Sequence, residues 1–226
     1  VSRGLGDVYK RQLCLCLKNF PMTAQNDLVK TPTIPIVTTE KRRQPADFSQ
    51  AVRISHIELK TNAVQIVFEH TYTRANNALF ASTKGLRRRG KIATAKTAEN
   101  TLSNMFDTFS TELSEALLKL QETLQDKVPE AMRRLVYNHV REFDVPASNG
   151  YSSRLINLTL QLDLLVCTVD LLEINGVLTP NAADQTTQSW IKRYRRFANA
   201  IQTLRVEVTK KLAASSHQQS TSPKQN

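Results

Sequence analysis

The sequence predicts a mainly α protein, a helical bundle of about five helices with a short N-terminal β strand or hairpin. Three observations predict it. The stretch Leu155 to Val177 is the most apolar in the chain. Two further long segments repeat apolar residues at steps of three and four, and the best strand candidate lies early, between Val52 and His70. In the apolar stretch, Leu155, Leu158, Leu162, Leu165, Val166, Val169 and Leu172 fall on one side of a helix. Leu160, Leu164 and Leu171 widen that surface, so this is a central, mostly buried helix. A strand reading rests on Leu158, Leu160, Leu162 and Leu164 alternating with polar residues, but it breaks at Leu164-Leu165-Val166, and a strand of more than about 20 residues is exceptional. Asp163, Asp170 and Glu173 oppose a membrane span, since each carboxylate costs about 2.5 kcal/mol or more near a bilayer centre.

The first Met is Met22, and residues 1–21 read as a non-native leader: GLGDVYKRQ resembles translated sequencing adaptor. The apolar run Leu13 to Leu17 is shorter than the roughly 7 to 15 residues of a secretion signal, and the expectation is a cytoplasmic protein. Residues 22–50, with Pro32, Pro35 and Pro45 and no sustained period, read as a disordered arm, and residues 214–226 as a disordered polar tail. A single domain, residues 51–213, lies between them. The chain is basic, with 31 Lys and Arg against 20 Asp and Glu. Four of those bases and one acid fall in the leader, so the rest keeps about +8, a balance that points to a polyanionic partner. Outside the leader Cys167 is the single cysteine, read as a small buried hydrophobe in a chain without disulfides.

Taken in order, Val52, Ile54, Ile57 and Leu59 precede a turn-like Lys60-Thr61-Asn62, and Val64 to Phe68 is the strongest strand by β-branched and aromatic content. A short helix over 73–84 follows, capped by Thr71 or Thr73 and stopped at Gly85. Lys84, Arg87, Arg88, Arg89 and Lys91 then form a basic turn with Gly85 and Gly90. It is either a solvated surface loop or a phosphate site to which the glycines let the backbone come close. From near Thr94 to Gln125, Leu102, Phe106, Phe109, Leu113, Ala116 and Leu120 give a helix with one buried face. At roughly 45 Å it is longer than a compact domain needs, which leaves apolar stripe for another subunit. Pro129 opens a predicted helix with Met132, Leu135, Val136, His139, Val140 and Phe143 on one face, and residues 146–150 form a loop. Ser152 or Ser153 caps the central helix, which ends at Gly176. The last helix starts at Thr179-Pro180; Trp190, Tyr194, Phe197, Ile201, Leu204 and Val208 make its apolar face, with Lys192, Arg193, Arg195, Arg196 and Lys210 broadly opposite.

No arrangement supports an enzyme. The four histidines are scattered, and neither HExxH, GxxxxGK[ST] nor GxGxxG occurs. His139 reads as a core histidine, and Asp163 and Asp170 as partners of arginines on neighbouring helices rather than a catalytic pair. No cofactor, metal or small-molecule substrate is expected.

With its early strand and helix carrying ALF at Ala78 to Phe80, its long helix, and LDLLVCTVDLLEINGVL at Leu162 to Leu178 ahead of Trp190 in a basic helix, the chain from about Val52 to Leu212 resembles the AcaB-like transcriptional regulators of conjugative plasmids and integrative conjugative elements. The resemblance implies a ribbon-helix-helix element, in which strands of two subunits pair and enter the major groove while a helix N-terminus holds phosphate. A strand over 63–70, a helix over 73–84, the basic turn and the long helix stand in that order. The groove-facing residues would then be Ala63, Gln65, Val67 and Glu69, which include no cation; readout through Arg53 and Ser55 is the alternative. The candidate nucleic-acid-binding residues are therefore Arg53, Gln65, Lys84, Arg87, Arg88, Arg89, Lys91, Lys96, Lys192, Arg193, Arg195 and Arg196. The leading expectation is a homodimeric regulator of conjugative transfer genes that binds double-stranded DNA and contacts no membrane. The alternatives are a helical adaptor of the conjugation machinery and, with few aromatics left for base stacking, an RNA-binding protein.

Overall fold

The computed structural model describes residues 53–220, and side chains as far as residue 214. The expected leader and arm, and residues 221–226 of the tail, lie outside the described residues. The elements are β1 (Arg53–Leu59), α1 (Asn62–Ser82), α2 (Lys84–Arg88), α3 (Ile92–Lys127), a 3-10 turn (Glu130–Met132), β2 (Arg141–Ala147), α4 (Gly150–Ile174) and α5 (Pro180–Ser220). The fold is mainly α with one two-stranded antiparallel ribbon, β1 against β2.

Three long helices follow their apolar periods. On α3, Leu102, Phe106, Phe109 and Leu113 are buried. On α5, Phe197 stacks on Phe109 at 4.7 Å between centroids and meets Phe106 edge-on at 5.0 Å. α4 is long and apolar enough to cross a bilayer, yet it packs against α1, α3 and α5. Its C-terminus closes as expected at Gly176 (φ +70°): Gly176 N–H donates to Glu173 and Val177 N–H to Leu172, the paired bonds that use up helix-end carbonyls. Its N-cap is Asn149 rather than a serine, and Asn149 Oδ1 accepts from Ser152 N–H at 2.9 Å. α5 begins at Pro180 as predicted and continues to Ser220, through the first part of the expected tail. No glycine or second proline interrupts it before Pro223.

Two predicted elements exchange identity. The strand expected over 63–70 and the helix over 73–84 are one helix, α1. Its buried Val64, Val67, Phe68, Thr71, Tyr72, Ala75, Ala78 and Leu79 recur at three and four, and this burial overrides the local β preference of Val64 to Phe68. The helix expected from Pro129 to Phe143 is a single 3-10 turn, an irregular segment and strand β2. In β2, Phe143, Val145 and Ala147 point inward while Glu142, Asp144 and Pro146 are exposed, the period-two pattern of a strand. The segment between is held by polar bonds. Arg133 donates from Nε to Val128 O and from Nη2 to Gln125 O, closing the end of α3, and Tyr137 Oη donates to Asp170 at 2.9 Å. His139 is an exposed loop residue, not a core histidine.

The corner between β1 and α1 is built by α4. Asp163 accepts from Lys60 N–H (2.9 Å), Thr61 N–H (3.0 Å) and Thr61 Oγ1 (2.6 Å), just ahead of the positive end of α1. Neither it nor Asp170 meets the arginine expected for it. Burial raises the Asp170 carboxyl above the usual range, against the opposing pull of Tyr137. Cys167, beside them, has its thiol pushed up to about 12, chiefly by burial, so it stays protonated at neutral pH.

Candidate nucleic-acid interface

Gln65 is buried, and its Nε2 donates to Leu59 O (2.9 Å) and His139 O (2.8 Å). It braces the ribbon from inside, and no face of α1 can offer it to a groove. The ribbon itself is intrachain: Ile57 opposes Phe143 and Glu58 opposes Glu142. Its outer face carries Ile54, His56, Glu58, Glu142, Asp144 and Pro146, three carboxylates and one histidine, a surface that repels phosphate. Arg53 and Ser55 lie on the other set of alternate positions, and Arg53, exposed at the ribbon end, pairs with Ala147. The readout expected through β1 therefore comes down to Arg53 alone.

His56 donates from Nδ1 to Asp144 at 3.0 Å and lies 3.7 Å from Glu142. The bond to Asp144 raises its pKa above 6.5 against desolvation, helped by the charges of Asp144, Glu142 and Glu58. Because the folded-state pKa is the higher one, the charged pair's contribution is complete below about pH 6.5 and disappears as pH rises through the folded value. In an NMR titration the His56 midpoint should lie above 6.5, and Asp144→Asn should bring it down; an unmoved midpoint would refute the pair.

The basic turn is partly helical. α2 leads through Arg89 to Gly90, whose φ of +72° suits glycine, and Lys91 N-caps α3. α3 has no acidic residue in its first turn, so its unsatisfied N-terminal amides and dipole remain open to an anion. Not all of the predicted cations are available. Lys84 Nζ donates to Ser148 O at 2.8 Å, tying α2 to the β2–α4 junction. Arg87 forms a two-pronged pair with Glu99, Nε to Oε1 at 2.8 Å, which clamps α2 to α3 and holds the Glu99 carboxyl low. Arg88 lies over the Phe80 ring, 5.7 Å from its centroid. Arg89, Lys91 and Lys96 are exposed and make no ion pair among the described residues.

On α5, Arg193 is held between Glu112 (3.5 Å) and the Trp190 ring (4.8 Å), whereas Lys192, Arg195 and Arg196 are exposed. A small second core of Leu86, Ala95, Ala98 and Val208, with Leu204 and Leu212 against it, joins the basic turn to the C-terminal half of α5. Arg53 belongs to the same end, because its partner Ala147 immediately precedes Ser148, which holds Lys84. The fold thus gathers Arg53, Lys84, Arg87 to Lys91 and the cations of late α5 at one end. Sequence reasoning passed over Arg74 and Arg205, which line a groove between α1 and α5. The available signal was the row Gln202, Arg205, Thr209 at helical spacing.

No family model matches the chain, and no curated protein matches it by sequence. Among solved structures it is similar to the selenomethionine-containing crystal structure of AcaB from uropathogenic E. coli, with a TM-score of 0.70 and 21% identity, over 74% of this chain and 86% of that one. At that identity the likeness concerns the backbone: the chain shares the fold of AcaB.

Proposed function

We propose that the protein is a DNA-binding transcriptional regulator, acting on conjugative transfer genes of a mobile element as a cytoplasmic homodimer without a cofactor or catalytic activity. One observation carries this reading: the exposed cations Arg89, Lys91 and Lys96 at the start of α3 and those of late α5 flank a shared small core, next to an open helix N-terminus. The charge of about +8 outside residues 1–21 supports it, as does the AcaB fold, which agrees with the resemblance read in the sequence. For the homodimer, the support is Leu160 and Leu164, exposed one turn apart on α4, and Leu118, exposed on the far half of α3.

The test is fluorescence anisotropy with native upstream and random duplexes from about 50 to 200 mM salt, where phosphate binding dominates the slope. Arg89, Lys91 and Lys96 replaced together by Ala should weaken binding to every duplex alike and flatten log affinity against log salt by roughly 0.9 for each phosphate no longer neutralised. Arg53→Ala should instead narrow the gap between native and random DNA, since groove contacts carry sequence. No binding at low salt would remove the regulator reading and leave the helical adaptor of the conjugation machinery.

A further inference from the structure

We propose that the groove between α1 and α5 is the seat of the DNA backbone, a phosphodiester site that works together with the basic turn. The proposal rests on the DNA-binding reading above and assigns the surface that carries it. The open groove has a volume of about 560 Å³ and is lined by Arg74 and Asn77 of α1 and by Gln202, Arg205, Thr209 and Lys210 of α5, with Val206 and Ala213 as its apolar members and no carboxylate among its lining residues. Arg74 and Asn77 are three apart, and Gln202, Arg205 and Thr209 recur at three and four, so each set projects from one face of its helix. Arg74, Arg205 and Lys210 are exposed and make no ion pair among the described residues. Three cations with amide and hydroxyl groups between them, in an open cleft, match the charge and hydrogen-bond acceptors of a phosphate chain.

Position strengthens the argument. Val208, between the groove residues in sequence, is buried against Leu86, Ala95 and Ala98, so the groove lies on the α1 flank of α5 and the basic turn on the α2–α3 flank. A duplex lying across late α5 would meet both. The face continues back along α5 through Asn199 to Arg195, which is exposed. From Arg195 to Lys210 is about 22 Å of helix, over which one DNA strand presents about six phosphates.

The experiment compares Arg74→Ala/Arg205→Ala/Lys210→Ala with a charge-matched control, Lys119→Ala/Lys127→Ala/Arg134→Ala, whose exposed cations lie on the far half of α3 and the segment after it. Both are read by anisotropy on a random duplex across a salt series. The groove variant should show a slope shallower by roughly 0.9 to 2.7, the equivalent of one to three phosphates, with the control unchanged. A photo-crosslinker in place of Asn77, with every cation intact, should attach to the duplex. Equal loss in both variants, or a crosslinker at 77 that captures no DNA, overturns the groove while DNA binding stands. A wild-type chain that binds no duplex removes the regulator reading and the groove together.

Discussion

Replacing Asp163 by Ala is expected to cost about 3 kcal/mol, because a buried carboxylate that accepts three hydrogen bonds leaves three donors behind when it goes. A hydrogen bond to a charged group is worth about 1.5 to 3 kcal/mol, and the bonds share one side chain, so the loss is less than their sum. In a domain of this size the melting temperature should fall by roughly 6 to 12 °C in differential scanning calorimetry. Asp163→Asn should cost less. Its remaining oxygen can keep the two bonds from Thr61, while its NH2 group would face Lys60 N–H, donor against donor. A drop under about 2 °C for the Ala variant would show that the corner does not depend on this residue.

That corner also shows where sequence reading stops. The helices α3, α4 and α5 were legible because their periods are long: Leu102 to Leu113 and Trp190 to Val208 repeat often enough that no strand pattern competes. Gly176 and Pro180 were legible because each answers a local backbone demand. Val64 to Phe68 was misread because four β-formers around Gln65 fit either period, and what selects the helix is burial against α5 and α4, across more than 80 residues of chain. The residues of β2 were missed as well, Arg141 to Phe143 being read as the end of a helix and Pro146 and Ala147 as the start of a loop. Their partner lies 82 to 94 positions earlier, too distant for any turn signal to reveal.

The candidate site divides along the same line. Its location at the start of α3 could be read from composition, since five cations within eight residues stand out in any chain. Which of them face solvent could not. Glu99 takes Arg87, Ser148 takes Lys84 and Phe80 lies under Arg88, and all three pairings depend on how α1, α3 and α4 meet. Gln65 failed as a groove residue for the same reason: its two carbonyl partners come from either side of the ribbon. Arg74 and Arg205 stood outside any charge run, so only the meeting of α1 with α5 reveals them as neighbours.

Phe143→Ala and Val136→Ala separate the two accounts of residues 129–147. In a helix these two residues share a buried face, seven positions apart, and both truncations would be costly. In the structure Phe143 is 3% exposed on β2, with its ring edge-on to Phe68 at 5.2 Å and Arg141 5.3 Å from its centroid, whereas Val136 is 89% exposed. Phe143→Ala removes a ring from a close-packed site bounded by α1, where partial collapse cannot restore the packing, and should cost about 3 to 5 kcal/mol. Against a total stability of about 5 to 15 kcal/mol, that is enough to lower the melting temperature by roughly 6 to 20 °C. Val136→Ala removes two methyl groups already in water and should stay within about 0.5 kcal/mol. Chemical denaturation of both variants decides the matter. Comparable losses would restore the helix, while a large loss for Phe143 alone fixes β2 as the strand that closes the ribbon over α1.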